Sequence, residues 1–292
     1  MAALPSESQP MRRHDWSIIV PFYNEANYLR PCLQSLLAQS ILAQTLAPLR
    51  LILVDNASND GSAELARQIV ADCLAQKGLD QRSGQIEAIY LHEAKPGKIH
   101  ALCTGIAKID SEFVALCDAD TIYPPDYLAR AQNLIGAQEH PGRRPIAGAI
   151  AFGLSAPPSS LASLFVRLKG MIVAKLLPRQ CHSGGYGHVF RSDYLRRSGA
   201  YDANKWPFVL EDHEIVHRIL KLGAIRYDAN FWCQTSDRRQ DRTSVNWTLF
   251  ERLMYHVTPF SRKDWLFYEF LAPRFRQRKM DQTALRDKSA FS

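Results

Sequence analysis

Hydrophobic and polar positions follow two periods in this chain, and they alternate. Trp16-Ser17-Ile18-Ile19-Val20-Pro21 is a short apolar run stopped by proline and predicts a first strand. After the loop Phe22-Tyr23-Asn24-Glu25, Leu29, Leu33, Leu36 and Leu37 recur at helical spacing, which predicts a helix from Tyr28 to about Gln39 capped by Asn27. Leu49 to Val54, ending in Asp55, predicts a second strand. The turn formers Asn56-Ala57-Ser58-Asn59-Asp60-Gly61-Ser62 then lead to a helix from Ala63 to Gln76, ended by Gly78. Ile86 to Leu91 is a third strand, His100 to Ile109 a helix, and Phe113 to Cys117 a fourth strand, apolar enough to be buried on both faces. This alternation implies right-handed βαβ crossovers and a mostly parallel sheet. The polar turns after Pro21, at Asp55 and at Asp118 should then converge on one sheet edge.

The second half is less regular. Ile146 to Phe152 predicts a strand. Leu161 to Leu177 predicts an amphipathic helix, with Leu161, Leu164, Phe165, Leu168 and Ile172 at helical spacing and Arg167, Lys169 and Lys175 between them. A glycine-rich turn, Gly184 to Gly187, leads into a short strand. Glu211-Asp212 opens a helix to about Leu222, capped by Gly223, and Ile225 to Cys233 is expected as a last strand. Thr235 to Arg242 is an arginine-rich loop. Val245 to Phe270 reads as helical in pieces, broken at Pro259 and Pro273.

Bulk properties narrow the class. The 292 residues, 46% hydrophobic and 22% charged, suit one large α/β domain with additions. No run of about 18 apolar residues is present to span a bilayer, and Met1 to Asp15 lacks the apolar core of a secretory signal, so a disordered tail is expected there. Six scattered cysteines without a Cys-x-x-Cys pair suggest reduced thiols and a cytoplasmic setting. Cys181, His182 and His188 lack a fourth partner at zinc spacing. The net charge of +7 is concentrated at the end: residues 262–292 hold eight Lys/Arg against four Asp/Glu. That end, behind the aromatic stretch from Trp247 to Phe270, suits either the interface of an anionic membrane or a helix packed on the main domain. No aromatic-basic strand motif of the nucleic-acid-binding kind appears, so no nucleic-acid partner is expected.

The chemistry centres on Asp118-Ala119-Asp120 at the end of the fourth strand. Side chains at i and i+2 of a strand share a side, so the two carboxylates are expected to project together from the edge where ligands bind in open α/β sheets. Two adjacent carboxylates repel unless a cation lies near. Mg²⁺ or Mn²⁺, held by few protein oxygens and completed by diphosphate oxygens, satisfies that requirement. A solvated acidic turn is the competing reading of the motif taken alone.

Six segments, each at a predicted strand or helix end, resemble in this order the family 2 glycosyltransferases. They are Val20-Pro21-Phe22-Tyr23-Asn24-Glu25, Val54-Asp55 through Ser62, Lys95-Pro96-Gly97-Lys98, Asp118-Ala119-Asp120, Gly185-Tyr186-Gly187-His188 and Glu211-Asp212. The resemblance covers about residues 16–242 and implies a GT-A fold: a mostly parallel α/β sheet with a Rossmann-like nucleotide-binding half, about 16–122, and an acceptor half, about 123–242. A helical, basic extension, 243–292, follows. The resemblance places Pro21, Tyr23 and Glu25 against base and ribose, and Asp55 on the base. Asp55 as an Asx-turn residue remains the alternative. Lys98 would face the donor diphosphate and Asp118 the ribose or metal shell. Asp120 would be the metal ligand, and Asp212 the catalytic base. Gly185, Glu211, Arg238 and Arg239 would lie on the acceptor or diphosphate side. A single base and direct displacement imply inversion at the anomeric carbon. The Gln-x-x-Arg-Trp pattern of processive members is absent; Ser236-Asp237-Arg238-Arg239-Gln240-Asp241-Arg242 stands there, so a single addition is expected. Cys103 replaces an asparagine common after the lysine loop.

The expected function is transfer of a sugar from a nucleotide diphosphate sugar, a UDP-sugar first, to a glycan or lipid-linked acceptor in cell-envelope or exported glycan synthesis. A cytoplasmic enzyme, peripheral on the membrane's inner face, fits this reading. A nucleotidyltransferase is the first alternative, but Val20 to Glu25 holds neither the glycine nor the lysine of a triphosphate loop. A non-catalytic nucleotide-sugar-binding subunit is the second.

Overall fold

The computed structural model of the protein describes residues 15–43, 49–76, 86–136, 142, 144–236 and 247–281. The expected tail before Asp15, the end at Gly78, and Arg238 and Arg239 lie outside the described residues. Strands β1 (Trp16–Phe22), β2 (Leu49–Asp55), β3 (Ile86–His92) and β4 (Phe113–Cys117) are parallel, as the alternation implies. With β6 (Ile146–Ile150), β8 (Gly187–Arg191) and β9 (Ala224–Arg226) they form a sheet in the order β3-β2-β1-β4-β8-β6-β9. Only β8 runs against its neighbours in that sheet. A second, three-stranded sheet joins β5 (Thr121–Ile122), β10 (Trp232–Thr235) and β7 (Phe152–Leu154).

Helices cover both faces of the large sheet. On one, α1 (Leu29–Leu37), α2 (Ser62–Gln76) and α4 (Tyr127–Gly136) bury their apolar stripes. The five buried residues of α1, Leu29, Cys32, Leu33, Leu36 and Leu37, repeat the helical spacing seen in the sequence, and each large aliphatic one stabilises the fold by about 1.5–3 kcal/mol. On the other face lie α3 (Lys98–Ile106) and α7 (Glu211–Leu222), packed on Ile19, Val54, Leu116 and Phe190. Then α5 (Leu161–Leu176) and the short α6 (Ser192–Arg197) fill out the second half.

The structure corrects several expectations. α1 is capped at Tyr28 without a side-chain hydrogen bond, so Asn27 is not its cap. The run Ile146 to Phe152 divides between β6 and β7, which belong to different sheets. Ile225 to Cys233 likewise divides into β9 and β10, separated by a turn at Asp228 whose carbonyl accepts from Phe231 N–H. In the first run, apolar continuity cannot reveal a strand that leaves one sheet for another. Helix α4 escaped the sequence reading, although its buried Tyr127, Leu128, Ala131 and Ile135 share a stripe.

The C-terminal segment packs on the body through a third cluster. After α8 (Leu249–Val257), a π-helical turn at Trp265–Leu271 runs directly into α9 (Ala272–Gln277). Pro273 sits in the first turn of α9, where its missing N–H costs nothing, and so does not break the chain as expected. Leu266, Phe267, Leu271 and Phe275 are buried around Trp206 and Phe208. Phe208 pairs with Asp281, and Val209 N–H donates to Met280 O, closing the segment onto the loop before α7.

Candidate functional site

The order β3-β2-β1-β4 places the switch of crossover direction between β1 and β4, and the crevice beyond their C-terminal ends is where such sheets bind ligands. The loops after β1 and β2 bind each other there. Asn24 N–H donates to Ser58 Oγ (3.0 Å), Glu25 N–H to Ser62 Oγ (2.9 Å), Ala26 N–H to Asp60 Oδ2 (3.1 Å), and Asn59 N–H to Asn24 Oδ1 (2.9 Å). Asn24 and Ala57 take left-handed φ values of 53° and 59° to turn the chain. Pro21 is buried, while Tyr23 and Glu25 are partly exposed. The Glu25 carbonyl accepts from Tyr28 and Leu29 N–H and opens α1.

Asp55, at the end of β2, is 7% exposed. Its Oδ1 accepts from Ser58 N–H (3.0 Å), three residues on, which shapes the turn, and its Oδ2 meets His92 Nδ1 at 3.0 Å. The turn-shaping reading of Asp55 therefore holds, and a base contact would be additional to it. The neighbouring Asn56 escaped the sequence reading. Its amide donates to Glu93 O (2.9 Å) and Lys95 O (2.8 Å), and its Oδ1 accepts from Gly97 N–H (2.9 Å). One side chain thus fixes the whole lysine loop and the start of α3. The only sequence signal was a small amide in a turn, which by itself indicates a local bond, not a clamp on a loop about 40 residues away.

Lys98 opens α3, and its Nζ lies 2.6 Å from Asp118 Oδ1. Strand β4 ends at Cys117, so Asp118-Ala119-Asp120 is a turn, and the i, i+2 argument for a shared side does not apply. Asp118 meets Lys98, whereas Asp120 accepts from Ser236 Oγ (3.0 Å) and Thr121 Oγ1 (3.3 Å). Both carboxylates are buried to 7% exposure. The turn is held from below by Tyr123, another residue the sequence did not reveal: Asp118 N–H donates to the Tyr123 hydroxyl (2.8 Å), which donates to Tyr186 O (2.6 Å). Tyr123 thereby ties the acidic turn to the glycine-rich turn. Beside Asp120 opens a cavity of about 180 Å³, lined among others by Tyr28, Ile122, Gln234 and Ser236.

The glycine-rich turn meets the start of α7. A Cβ on Gly185 would stand 3.3 Å from Asp212 Cβ, 3.4 Å from Lys98 Nζ and 3.7 Å from Asp212 Oδ2. Gly185 therefore leaves room between the lysine and the carboxylate. Leu210, just before α7, has a left-handed φ of 68°, a conformation that costs a branched side chain about 1–2 kcal/mol and turns Glu211 and Asp212 inward. Asp212 Oδ1 accepts from His213 N–H (2.8 Å) and lies 2.9 Å from His213 Nδ1, whose ring packs against Trp247 and Tyr255.

These contacts set the charges. Burial raises the Asp212 carboxyl, but His213, by charge and hydrogen bond, together with His188 and Lys98, outweighs it and holds Asp212 well below the ordinary carboxylate range. Burial and the Asp212 charge push Glu211 up to about 7. The pair therefore holds one ready acceptor and one proton near neutrality. His188 is fully buried beneath, pushed down to about 4 by burial, and neither ring nitrogen has a hydrogen-bond partner among the described residues.

The edge thus offers a part-buried ionised carboxylate at Asp212, a cation at Lys98, and hard oxygens at Asp118 and Asp120. Among the described residues no three His, Cys, Asp or Glu side chains form a cage for a metal. Asp120, buried yet lining an open cavity, suits an ion that takes few protein ligands and completes its shell from a substrate.

Comparison with known proteins agrees with this geometry. Residues 17–144 match the model of the family described as Glycosyl transferase family 2. Over 112 residues the chain is 29% identical to the glycosyltransferase GlyA of Streptococcus pneumoniae, a match spanning 38% of this chain and 14% of GlyA. The chain spans about a third or less of the curated relatives it matches first. Among solved structures, the mannosyltransferase PcManGT of Pyrobaculum calidifontis, in complex with GDP-Man and Mn²⁺, superposes with a TM-score of 0.57 at 18% identity, over 91% of this chain and 72% of that one. S. aureus TarS 1-349, in complex with UDP-GlcNAc, gives 0.53 at 19% identity, over 90% and 73%. At such identities the structural likeness is one of fold. The sheet with its helical layers is a GT-A fold, and residues 17–144 are similar to the family 2 glycosyltransferases.

Proposed function

We propose that the protein transfers a sugar from a nucleotide diphosphate sugar, a UDP-sugar first, to an acceptor hydroxyl with inversion. The observation that carries this reading is the meeting of Lys98, Asp118 and Asp212 around Gly185 at the sheet edge. Asp212, ionised at neutral pH, accepts the proton of the acceptor hydroxyl as that oxygen attacks the anomeric carbon. The bond from that carbon to the diphosphate oxygen breaks on the opposite side, and the nucleoside diphosphate leaves with its electron pair. The Lys98 ammonium offsets the charge that develops on the leaving group. A sugar beside Gly185 can approach backbone closely, because no Cβ fills the space between Lys98 and Asp212. Pro21, Tyr23, Glu25 and Asp55 line the base and ribose side, held in place by the loop network around Asn24 and Asn56. Glu211 lies beside the base, and Arg238 and Arg239 would grip anionic groups of donor or acceptor.

Asp120, with Asp118 beside it, fits Mg²⁺ or Mn²⁺, which when bound would act as a Lewis acid toward the diphosphate. PcManGT is described with Mn²⁺ and GDP-Man, and TarS with UDP-GlcNAc, which supports a metal and a nucleotide sugar here. The acceptor is proposed to be a glycan or lipid-linked glycan of the cell envelope, extended by a single residue per event.

The test is thermal stability with UDP, GDP, CDP or ADP, with and without Mn²⁺, for the protein and for Asp120→Asn. At about a hundred times its dissociation constant a ligand adds about 2.7 kcal/mol, visible as a raised melting temperature. A metal-dependent shift with UDP, lost in Asp120→Asn, is expected. No shift with any nucleotide would contradict the donor assignment and favour a different ligand at this edge.

A further inference from the structure

Helix α5 is out of keeping with the rest of the fold. Its apolar residues recur at helical spacing, yet Leu161, Phe165, Leu168, Ile172 and Leu176 are 51–83% exposed, and Ser163 is its only buried residue. The helix is nevertheless fixed in place. Ser160 caps it by accepting from Ser163 N–H, Gly170 lies so close to the Phe152 ring that a Cβ would come within 2.4 Å, and Arg167 turns inward to the carbonyls of Ala229 and Pro158. Helix α8 repeats the pattern: Leu249, Phe250, Leu253 and Val257 are 57–85% exposed. The patch continues past α8, since Phe250 and the half-exposed Trp265 both pack against Phe270.

The segment that follows α5 meets α8. Gln180, just after α5, hydrogen-bonds both the carbonyl and the ring of His256, Cys181 N–H donates to the Tyr255 hydroxyl, and Arg179 lies 5.1 Å over the Phe260 ring. Exposed apolar surface of this extent marks a docking site. Along the two helices themselves the exposed charge is of one sign. Residues 161–180 contain no Asp or Glu, while Lys169, Lys175 and Arg179 are exposed there. The single acid of α8, Glu251, is buried against Thr248 and Arg278, leaving Arg252 and Arg262 on the outside. Apolar helices whose own exposed charges are cations match an anionic lipid surface, where acyl chains receive the apolar side chains and phosphates meet the cations.

We infer that α5 and α8 together form a surface that docks the protein onto an anionic bilayer. The site lies alongside it. The chain leaving α5 runs through Cys181 and Ser183 into the Gly184–Gly187 turn, and Tyr255 of α8 packs on His213, the partner of Asp212. Docking therefore brings the acceptor side of Asp212 to the lipid surface, which, resting on the glycosyltransferase reading above, makes the acceptor a membrane-held glycan. No helix among the described residues is long and apolar enough to cross a membrane, and docking requires none.

Flotation of the full chain with phosphatidylcholine vesicles, with and without phosphatidylglycerol, tests the surface. The protein is expected to float with the anionic vesicles, less so at high salt, and to stay behind with phosphatidylcholine alone. Phe165→Asp and Leu253→Asp alter side chains that lie outside the core. Each should lower vesicle partition about tenfold or more, since an apolar anchor of this size contributes on that scale, while the melting temperature and its nucleotide-induced shift stay unchanged. Failure of the unaltered protein to float, with its nucleotide shift intact, would overturn the docking surface and leave the donor reading standing. A lipid-independent dimer in solution that either substitution dissociates would also overturn it, by showing that a second copy covers the face.

Discussion

The two sides of the sheet edge are held by different means. On the side of β1, β2 and β3, loops fasten loops: the side chains of Asn24, Asp55, Asn56, Ser58 and Ser62 satisfy backbone groups of their own and neighbouring loops. On the side of Asp212, a helix is fastened by a distant part of the chain. Within α7, Glu214 makes a two-pronged ion pair with Arg218 (2.7 and 2.8 Å), and Glu214 also receives the Tyr268 hydroxyl from the C-terminal segment. Asp264 holds His217 (2.8 Å) and Lys221 (2.6 Å) on the same helix. The comparison teaches that one half of the edge is shaped by turn chemistry and the other by tertiary packing. The first should fail locally and the second globally.

The largest effect is expected where packing and charge coincide. Glu214→Ala leaves Arg218 buried without its partner, and breaking one side of such a pair costs about 3–5 kcal/mol. Chemical denaturation should show this loss for the whole chain, since α7 and the C-terminal cluster come apart together. A change confined to nucleotide binding would break the comparison. A smaller, local effect is expected at Asn56. Asn56→Ala leaves Gly97 N–H and two carbonyls without their partner, at about 1–3 kcal/mol for the unsatisfied groups. Its main readout should be a raised KM for the donor as the Lys98 loop loosens, with kcat less affected.

The subtlest is a pH effect at Glu211. Its folded pKa of about 7 exceeds the unfolded value of about 4.3, so the folded state binds more protons between the two. Its contribution to stability is present below the unfolded value and is lost as pH rises toward and through 7. Melting temperatures from pH 5 to 8 should therefore fall more steeply for the protein than for Glu211→Gln. Parallel curves would contradict the placement of the charge.

The same contrast explains what the sequence made legible. Strands β1 to β4, helix α2, and the convergence of the turns after Pro21, at Asp55 and at Asp118 followed from local period and turn residues, because a βαβ crossover puts successive strand ends together, whereas Lys98 and Asp212 were placed there by the family resemblance. The division of Ile225 to Cys233 between two sheets was signalled only by the turn formers Asp228 and Asn230 inside the run, which do not say that the second half joins another sheet. Nor were the roles of Asn56 and Tyr123, whose partners are distant in sequence. The stripe on α5 predicted a helix correctly, but periodicity says that a face is apolar and not what covers it. The C-terminal stretch divides its apolar side chains: Phe267 and Phe275 are buried in a core, while Phe250 and Leu253 face outward.

The central claim is that Asp212 takes the acceptor's proton, and release of nucleoside diphosphate from the donor by Asp212→Asn tests it most directly, measured beside donor binding by the same protein. The asparagine keeps the shape but cannot accept the proton, so turnover should fall by about 10²–10⁴, while the nucleotide-induced rise in melting temperature persists. Turnover equal to that of the unaltered protein, with donor still bound, would contradict the assignment of Asp212 as the base.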